Sequence, residues 1–116
     1  EISPEGFQAI IKKFWKYGGV KEIIITESGA AFPDKIVNGQ VFDAERMQYH
    51  QRYLQELLNA KKDGVKIKGY LAWTLTDNFE WAEGYHARFG LVHVDFKTQL
   101  RTVKQSGYWF RDFLNG

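Results

Sequence analysis

Two stretches hold residue types whose combination could do chemistry. Glu27 follows directly on Ile23, Ile24, Ile25 and Thr26, and is itself followed by Ser28 and Gly29. Further along, Trp73 to Trp81 reads WTLTDNFEW, with two indoles bracketing Asp77 and Glu80. A carboxylate can attack an electrophilic carbon, relay a proton, or accept hydrogen bonds from hydroxyls. An indole offers a flat apolar face and one N–H donor. Each residue also has an ordinary reading. On position alone, a strand-end carboxylate facing water is the commoner fate of a residue like Glu27. Core packing is the commoner fate of Trp73 or Trp81 taken singly, and Asp77 and Glu80 could simply solvate a loop. Chemistry becomes the better reading only if the fold brings the two stretches together.

The elements around them predict that it does. Ser3 before Pro4 reads as an N-cap with proline at the first helical position. Phe7, Ile10, Ile11, Phe14 and Trp15 recur at helical spacing, and Gly18 and Gly19 end that helix. Lys21 to Thr26, with three successive β-branched residues and no alternation, predicts a short strand buried on both faces, as in a parallel sheet. Residues 28–41, rich in Gly, Pro, Asn and Asp, read as a long loop. Asp43 is a plausible N-cap for a second helix with Met47, His50, Leu54, Leu57 and Leu58 on one face, stopped by Gly64. Ile67 to Leu75 reads as a second strand, followed by a long loop dense in aromatics and charge. Thr102 and Gln105 have the spacing of a capping box, opening a final helix with Val103, Phe110, Phe113 and Leu114 inward.

Helix, strand, helix, strand, helix is a βα-repeat order, which implies a parallel sheet. Two parallel strands cannot close a barrel and leave both sheet edges unpaired. A complete (β/α)₈ barrel needs roughly 250 residues, so 116 residues correspond to roughly a quarter of an α/β TIM barrel plus one preceding helix, with about two strands and three helices, incomplete on its own. In such barrels reactive groups gather at the C-terminal ends of strands. Glu27 and the Trp73–Trp81 segment both fall there, on one face of the sheet. Aromatics interleaved with carboxylates at a barrel mouth suit a sugar, whose apolar faces stack on indoles and whose hydroxyls need acceptors.

Composition narrows the field. A net charge of +2, with Lys and Arg spread among acids, does not suit nucleic acid as a partner. No apolar run approaches the roughly 20 residues of a membrane span, so no membrane partner is expected. There is no cysteine, which excludes disulfides and thiolate metal sites. His50, His86 and His93 have no metal-ligand spacing with acids, so no metal and no other cofactor is expected. A cysteine-free chain fits a reducing compartment, and a cytoplasmic location is the expectation. Glu1 is not a methionine, so a signal further upstream would lie outside these residues.

The segment ITESGAAF, Ile25 to Phe32, resembles the nucleophile motif of glycoside hydrolase family 1, normally written with Glu-Asn-Gly. WTLTDNFEWAEGYHARFGLVHVD, Trp73 to Asp95, is similar to that family's glycone-binding segment almost continuously. SPEG at Ser3 and SGYWFRDF near the C-terminus match its flanking helices in order and spacing. The resemblance spans nearly the whole chain, and two such segments in this order are far more specific than a lone T-E-x-G. It implies that the chain is the C-terminal portion of the barrel.

The resemblance implies a retaining β-glycosidase of β-glucosidase type, with two carboxylates about 5–5.5 Å apart and a covalent glycosyl-enzyme intermediate. Glu27 would be the nucleophile. The acid/base Glu of the family follows an earlier strand in an Asn-Glu-Pro motif that does not occur here, so the fragment alone would be inactive and its partner would be the remainder of the same barrel. Glu80 would accept hydroxyls at the far end of the sugar, Trp81 would donate its indole N–H there, Trp73 would be the stacking platform, and Phe89 would line the pocket near the exocyclic carbon. A carboxylate at Glu80 would repel a phosphate dianion, so the implied substrate is an unphosphorylated terminal β-glucoside or galactoside. Ser28 departs from the usual Asn and bears on how Glu27 is positioned. A transglycosylase or a non-catalytic sugar-binding relative would carry the same residues in this stretch. The upstream acid/base decides between catalysis and binding.

Overall fold

Ser3 opens the first helix as its hydroxyl allows. In the computed structural model, which describes residues 2–116, Ser3 Oγ accepts the Gly6 N–H at 3.2 Å and Pro4 begins α1 (Pro4–Trp15). The cap satisfies one of the N–H groups left free at a helix start, and proline has none to satisfy. Gly19, at φ 92°, turns the chain away soon after the helix ends.

β1 (Ile23–Ser28) and β4 (Ile67–Ala72) form a parallel pair, with Ile23 opposite Ile67 and Ser28 opposite Ala72. Between them run a two-stranded hairpin, β2 (Ile36–Val37) and β3 (Gln40–Val41), and then α2 (Ala44–Lys62). After β4 come a short 3₁₀ turn at Trp81–Glu83, the antiparallel pair β5 (Val92–Val94) and β6 (Arg101–Val103), and α3 (Gln105–Asn115). The three helices pack on one face of the β1–β4 pair. Ile11, Leu54, Leu57, Ala60 and Val65 form the buried centre, with Phe7, Ile23, Ile25, Ile67 and Phe110 packed around it.

The opposite face of the pair is open. Ile24 is 51% exposed and Leu71 57%, so β1 is not buried on both faces as its isoleucine run predicts. Helices cover one side, and nothing among the described residues covers the other. Ile10 and Phe14 of the α1 stripe are exposed as well, in the helix layer. A radius of gyration of 15.8 Å exceeds the about 13 Å of a compact chain of this length. The molecule is a slab of 50 × 34 × 21 Å, the shape expected of a wedge cut from a larger body.

Other expectations fail for local reasons. Residues 28–41 are not one loop: Asn38 and Gly39, both at positive φ, make the two-residue turn of the β2–β3 hairpin. The second strand stops at Ala72, not Leu75, and β1 runs on through Glu27 and Ser28. Leu58 faces outward from α2, whose buried face instead includes Arg46, Tyr49 and Tyr53. Val103, Phe113 and Leu114 are exposed, and Thr102 lies in β6, so no capping box forms. Asp43 supplies the missing cap from a distance. Its Oδ1 accepts the Ser106 N–H at 2.8 Å and its Oδ2 the Ser106 hydroxyl at 2.5 Å, while making no side-chain cap on its own helix. A carboxylate at the α3 N-terminus also meets the favourable end of the helix dipole.

Candidate active site

Glu27 is the penultimate residue of β1, and Trp73 is the residue after β4. Parallel pairing brings these two strand ends side by side, with Trp73 N–H donating to Ser28 O at 2.8 Å. The approach is close enough to require glycine at 29: a Cβ there would stand 1.9 Å from the Trp73 carbonyl oxygen. Above this contact opens a recess of about 330 Å³, lined by Glu27, Ser28, Gly29 and Trp73 at the strand ends, by Glu80 and Phe89 from the long loop after β4, and by Phe7, Tyr49 and Tyr53 from the helices.

Four of the five residues singled out in the sequence therefore share one recess: Glu27, Trp73, Glu80 and Phe89. Trp81 does not join them. It is 85% exposed, and its φ of 47° at the start of the 3₁₀ turn carries the side chain out of the lining. The indole that meets Glu80 is that of Trp73, whose Nε1–H donates to Glu80 Oε1 at 3.1 Å. This bond holds the Glu80 carboxylate beside the Trp73 ring and leaves its other oxygen available to a ligand.

Ser28, the departure from the usual Asn, is buried and has a partner. Its hydroxyl lies 3.0 Å from the Tyr49 hydroxyl, tying the end of β1 to α2. Burial raises the Tyr49 pKa, only partly offset by the Ser28 hydrogen bond, and burial pushes Tyr70 up to about 12.

Asp77 is not a loop solvator. It is buried and accepts from Lys104 Nζ at 2.8 Å, Arg88 Nη1 at 2.5 Å and Gly90 N–H at 2.9 Å. Burial alone would raise its pKa, but Lys104, Arg88 and the Gly90 N–H outweigh it and hold the carboxyl below its usual range. Gly90 is required here, since a Cβ would lie 2.3 Å from the Asp77 nitrogen. Arg46, also buried, binds both oxygens of Asp34 at 2.9 Å and Asp43 at 2.5 Å. Burial works against its charge, and the two carboxylates more than restore it.

Sequence reasoning did not single out Tyr49, Tyr53, Asp34 or Lys104. Tyr49 and Tyr53, four residues apart in α2, carried an i, i+4 aromatic signal beside the aliphatic stripe. Asp34 and Lys104 carried no local signal, because their bond joins residues 70 apart. Among the described residues, no group of three or more His, Cys, Asp or Glu could hold a metal ion. No helix among them is long and apolar enough to cross a membrane.

Comparison with known proteins supplies a setting for this recess. The sequence model described as Glycosyl hydrolase family 1 matches residues 1–116. β-Glucosidase A of Thermotoga maritima is 49% identical over 111 residues, which are 95% of this chain and 25% of that protein. The 6-phospho-β-galactosidase of Clostridium acetobutylicum is 40% identical over 95% of this chain and 23% of its own length. A solved family 1 β-glucosidase from Thermotoga maritima, in complex with isofagomine lactam, superposes with a TM-score of 0.96 at 46% identity, covering 99% of this chain and 26% of that one. The chain thus spans about a quarter of the length of the relatives it matches.

Proposed function

The chain belongs to glycosyl hydrolase family 1 and has the fold of the C-terminal part of its (β/α)₈ barrel, and on that premise we propose that it supplies the nucleophile and glycone side of a retaining β-glycosidase. The observation that carries this reading is the recess itself: Glu27 at a strand end shares one concavity with Trp73, Glu80 and Phe89. The remainder of the barrel is the partner that would close the open face of β1–β4 and bring the acid/base.

In this reading Glu27 attacks the anomeric carbon while a carboxylic acid from the remainder of the barrel protonates the departing oxygen. The C–O bond to the aglycone breaks and an ester bond to Glu27 forms. Water, activated by the same acid/base, then displaces Glu27 and regenerates the β-anomer. Glu80, oriented by the Trp73 N–H, accepts sugar hydroxyls at the far end of the ring, and the Trp73 ring forms the stacking platform. Phe89 covers the side nearest the exocyclic carbon. Trp81 enters on the sequence match alone, as a donor one residue beyond Glu80. A carboxylate at Glu80 opposes a phosphate dianion, which supports unphosphorylated β-glucosides or galactosides as substrates even though a relative bears the name of a 6-phospho-β-galactosidase.

The stereochemical course tests this reading. Proton NMR of the first sugar released from an aryl β-glucoside by the complete enzyme should record the β-anomer before mutarotation. An α-anomer formed first would contradict the double displacement.

A further inference from the structure

The two segments that carry the recess are joined behind it by one buried cation. Asp34 lies in the segment that follows Glu27, and Asp77 in the segment between Trp73 and Glu80. Lys104, the residue before α3, is fully buried, and its Nζ lies 2.5 Å from Asp34 Oδ2 and 2.8 Å from Asp77 Oδ1. Arg46 binds both oxygens of Asp34, sharing Oδ2 with Lys104, and Arg88 binds the Asp77 oxygen that Lys104 leaves free. Charge therefore alternates along Arg46, Asp34, Lys104, Asp77 and Arg88, and among the described residues Lys104 is the side chain that bonds a carboxylate of each segment, while Arg46 Nη2 also donates to Arg88 O at 2.6 Å. Backbone contacts run alongside: Phe32 N–H donates to Arg88 O at 3.2 Å and Leu91 N–H to Thr74 O at 2.9 Å.

We propose that Lys104 is a positioning residue for the glycosidase reaction, its ammonium fixing the spacing between the Glu27 segment and the Trp73–Glu80 segment. The inference rests on the proposed function and adds a residue outside the recess to it. Without the ammonium, two buried carboxylates on separate segments would face each other with no cation between them, and like charges in a poorly solvated setting repel strongly. The segments would part, and Glu27 and Glu80 would no longer meet one sugar ring in a fixed geometry. Displacement by about 1 Å in such a constellation can cost on the order of 100-fold in rate. Packing α3 could be done by an apolar side chain of similar length. Holding two carboxylates at once could not.

The test compares Lys104→Met with the triple variant Asp34→Asn, Asp77→Asn, Lys104→Met in the complete enzyme. The triple variant removes the two facing carboxylate charges together with the ammonium and serves if the single variant does not fold. Thermal midpoints are measured with kcat/KM for an aryl β-glucoside and for its 4-deoxy analogue, which lacks a hydroxyl at the Glu80 end. A positioning role predicts that the triple variant recovers a midpoint within a few degrees of the parent. It also predicts a loss of about 100-fold on the glucoside but only about 10-fold or less on the 4-deoxy analogue. Glucoside kcat/KM within about threefold of the parent in either folded variant, or equal losses on both substrates, would overturn the proposal. The parent enzyme separates the two readings: if a slow fluorinated glycoside fails to label its Glu27, the proposed function fails, whereas normal labelling with insensitive Lys104 variants rejects only the positioning role.

Discussion

His50 bears a titratable ring where a core residue would ordinarily be aliphatic. It is fully buried, its Nδ1 lies 3.1 Å from the Tyr70 hydroxyl, and its Nε2 has no hydrogen-bond partner among the described residues. Burial first, and then the nearby Arg46, lower its pKa to about 4 against a partial counter-effect from Asp43. The unfolded chain binds a proton at His50 below about pH 6.5, whereas the folded protein resists until about pH 4. Stability is therefore intact above pH 6.5 and is lost as pH falls through this window, by on the order of 3 kcal/mol. His50→Leu should flatten that acid limb: between pH 7 and 4.5 the thermal midpoint of the complete enzyme should fall less in the variant than in the parent. Parallel curves would show that His50 is not the group responsible. The sequence placed His50 on a helix face correctly, but its burial depended on Tyr70 and Phe110 arriving edge-on from other elements. Glu27, Trp73, Glu80 and Phe89 were readable because strand ends in a βα repeat share one face. Trp81's outward turn was not, because nothing in its residue type announces a positive φ.

Close approach between elements is where a small change should have the largest effect. Gly29 lets the end of β1 touch Trp73, and the Cβ of an alanine would overlap the Trp73 carbonyl oxygen. Gly29→Ala should force the strand ends apart, costing about 1–3 kcal/mol of stability and roughly 100-fold in kcat through displacement of Glu27 against Trp73 and Glu80. Steady-state kinetics on the variant decide this, and parental kcat would mean that the contact does not govern the recess. Elements were legible in proportion to how local their signals are. Ser3 and Pro4 marked the start of α1 because the cap lies within one turn. The β2–β3 hairpin carried a local Asn-Gly signal as well, submerged in a stretch rich in turn residues. The start of α3 misled, since Thr102 and Gln105 have capping-box spacing whereas the actual cap, Asp43, bonds Ser106 from 63 residues away. No window along the chain contains both.

As a whole molecule the chain is a wedge: two parallel strands, helices on one side and open apolar surface on the other. Ile24 and Leu71 are exposed on that open face, Ile10 and Phe14 on the helix layer, and among the described residues neither edge of the β1–β4 pair carries a further strand. The fold class was legible because the βα order and its length could not fit a closed barrel. The alternating ion line through Asp34, Lys104 and Asp77 was not, because it exists only after three distant segments converge. Residues 1–116 alone should therefore be poorly folded and have no measurable turnover of an aryl β-glucoside. Turnover of about 1 per second or more by the isolated chain would show that the wedge is self-sufficient. Within the complete enzyme, everything proposed turns on Glu27 forming a bond to the anomeric carbon. Incubation with a slow 2-deoxy-2-fluoro-β-glucoside, followed by proteolysis and peptide mass spectrometry, should find one glycosyl group on the peptide containing Glu27 and on no other. A label on a different carboxylate, or a Glu27→Gln variant with near-parental activity, would contradict the account.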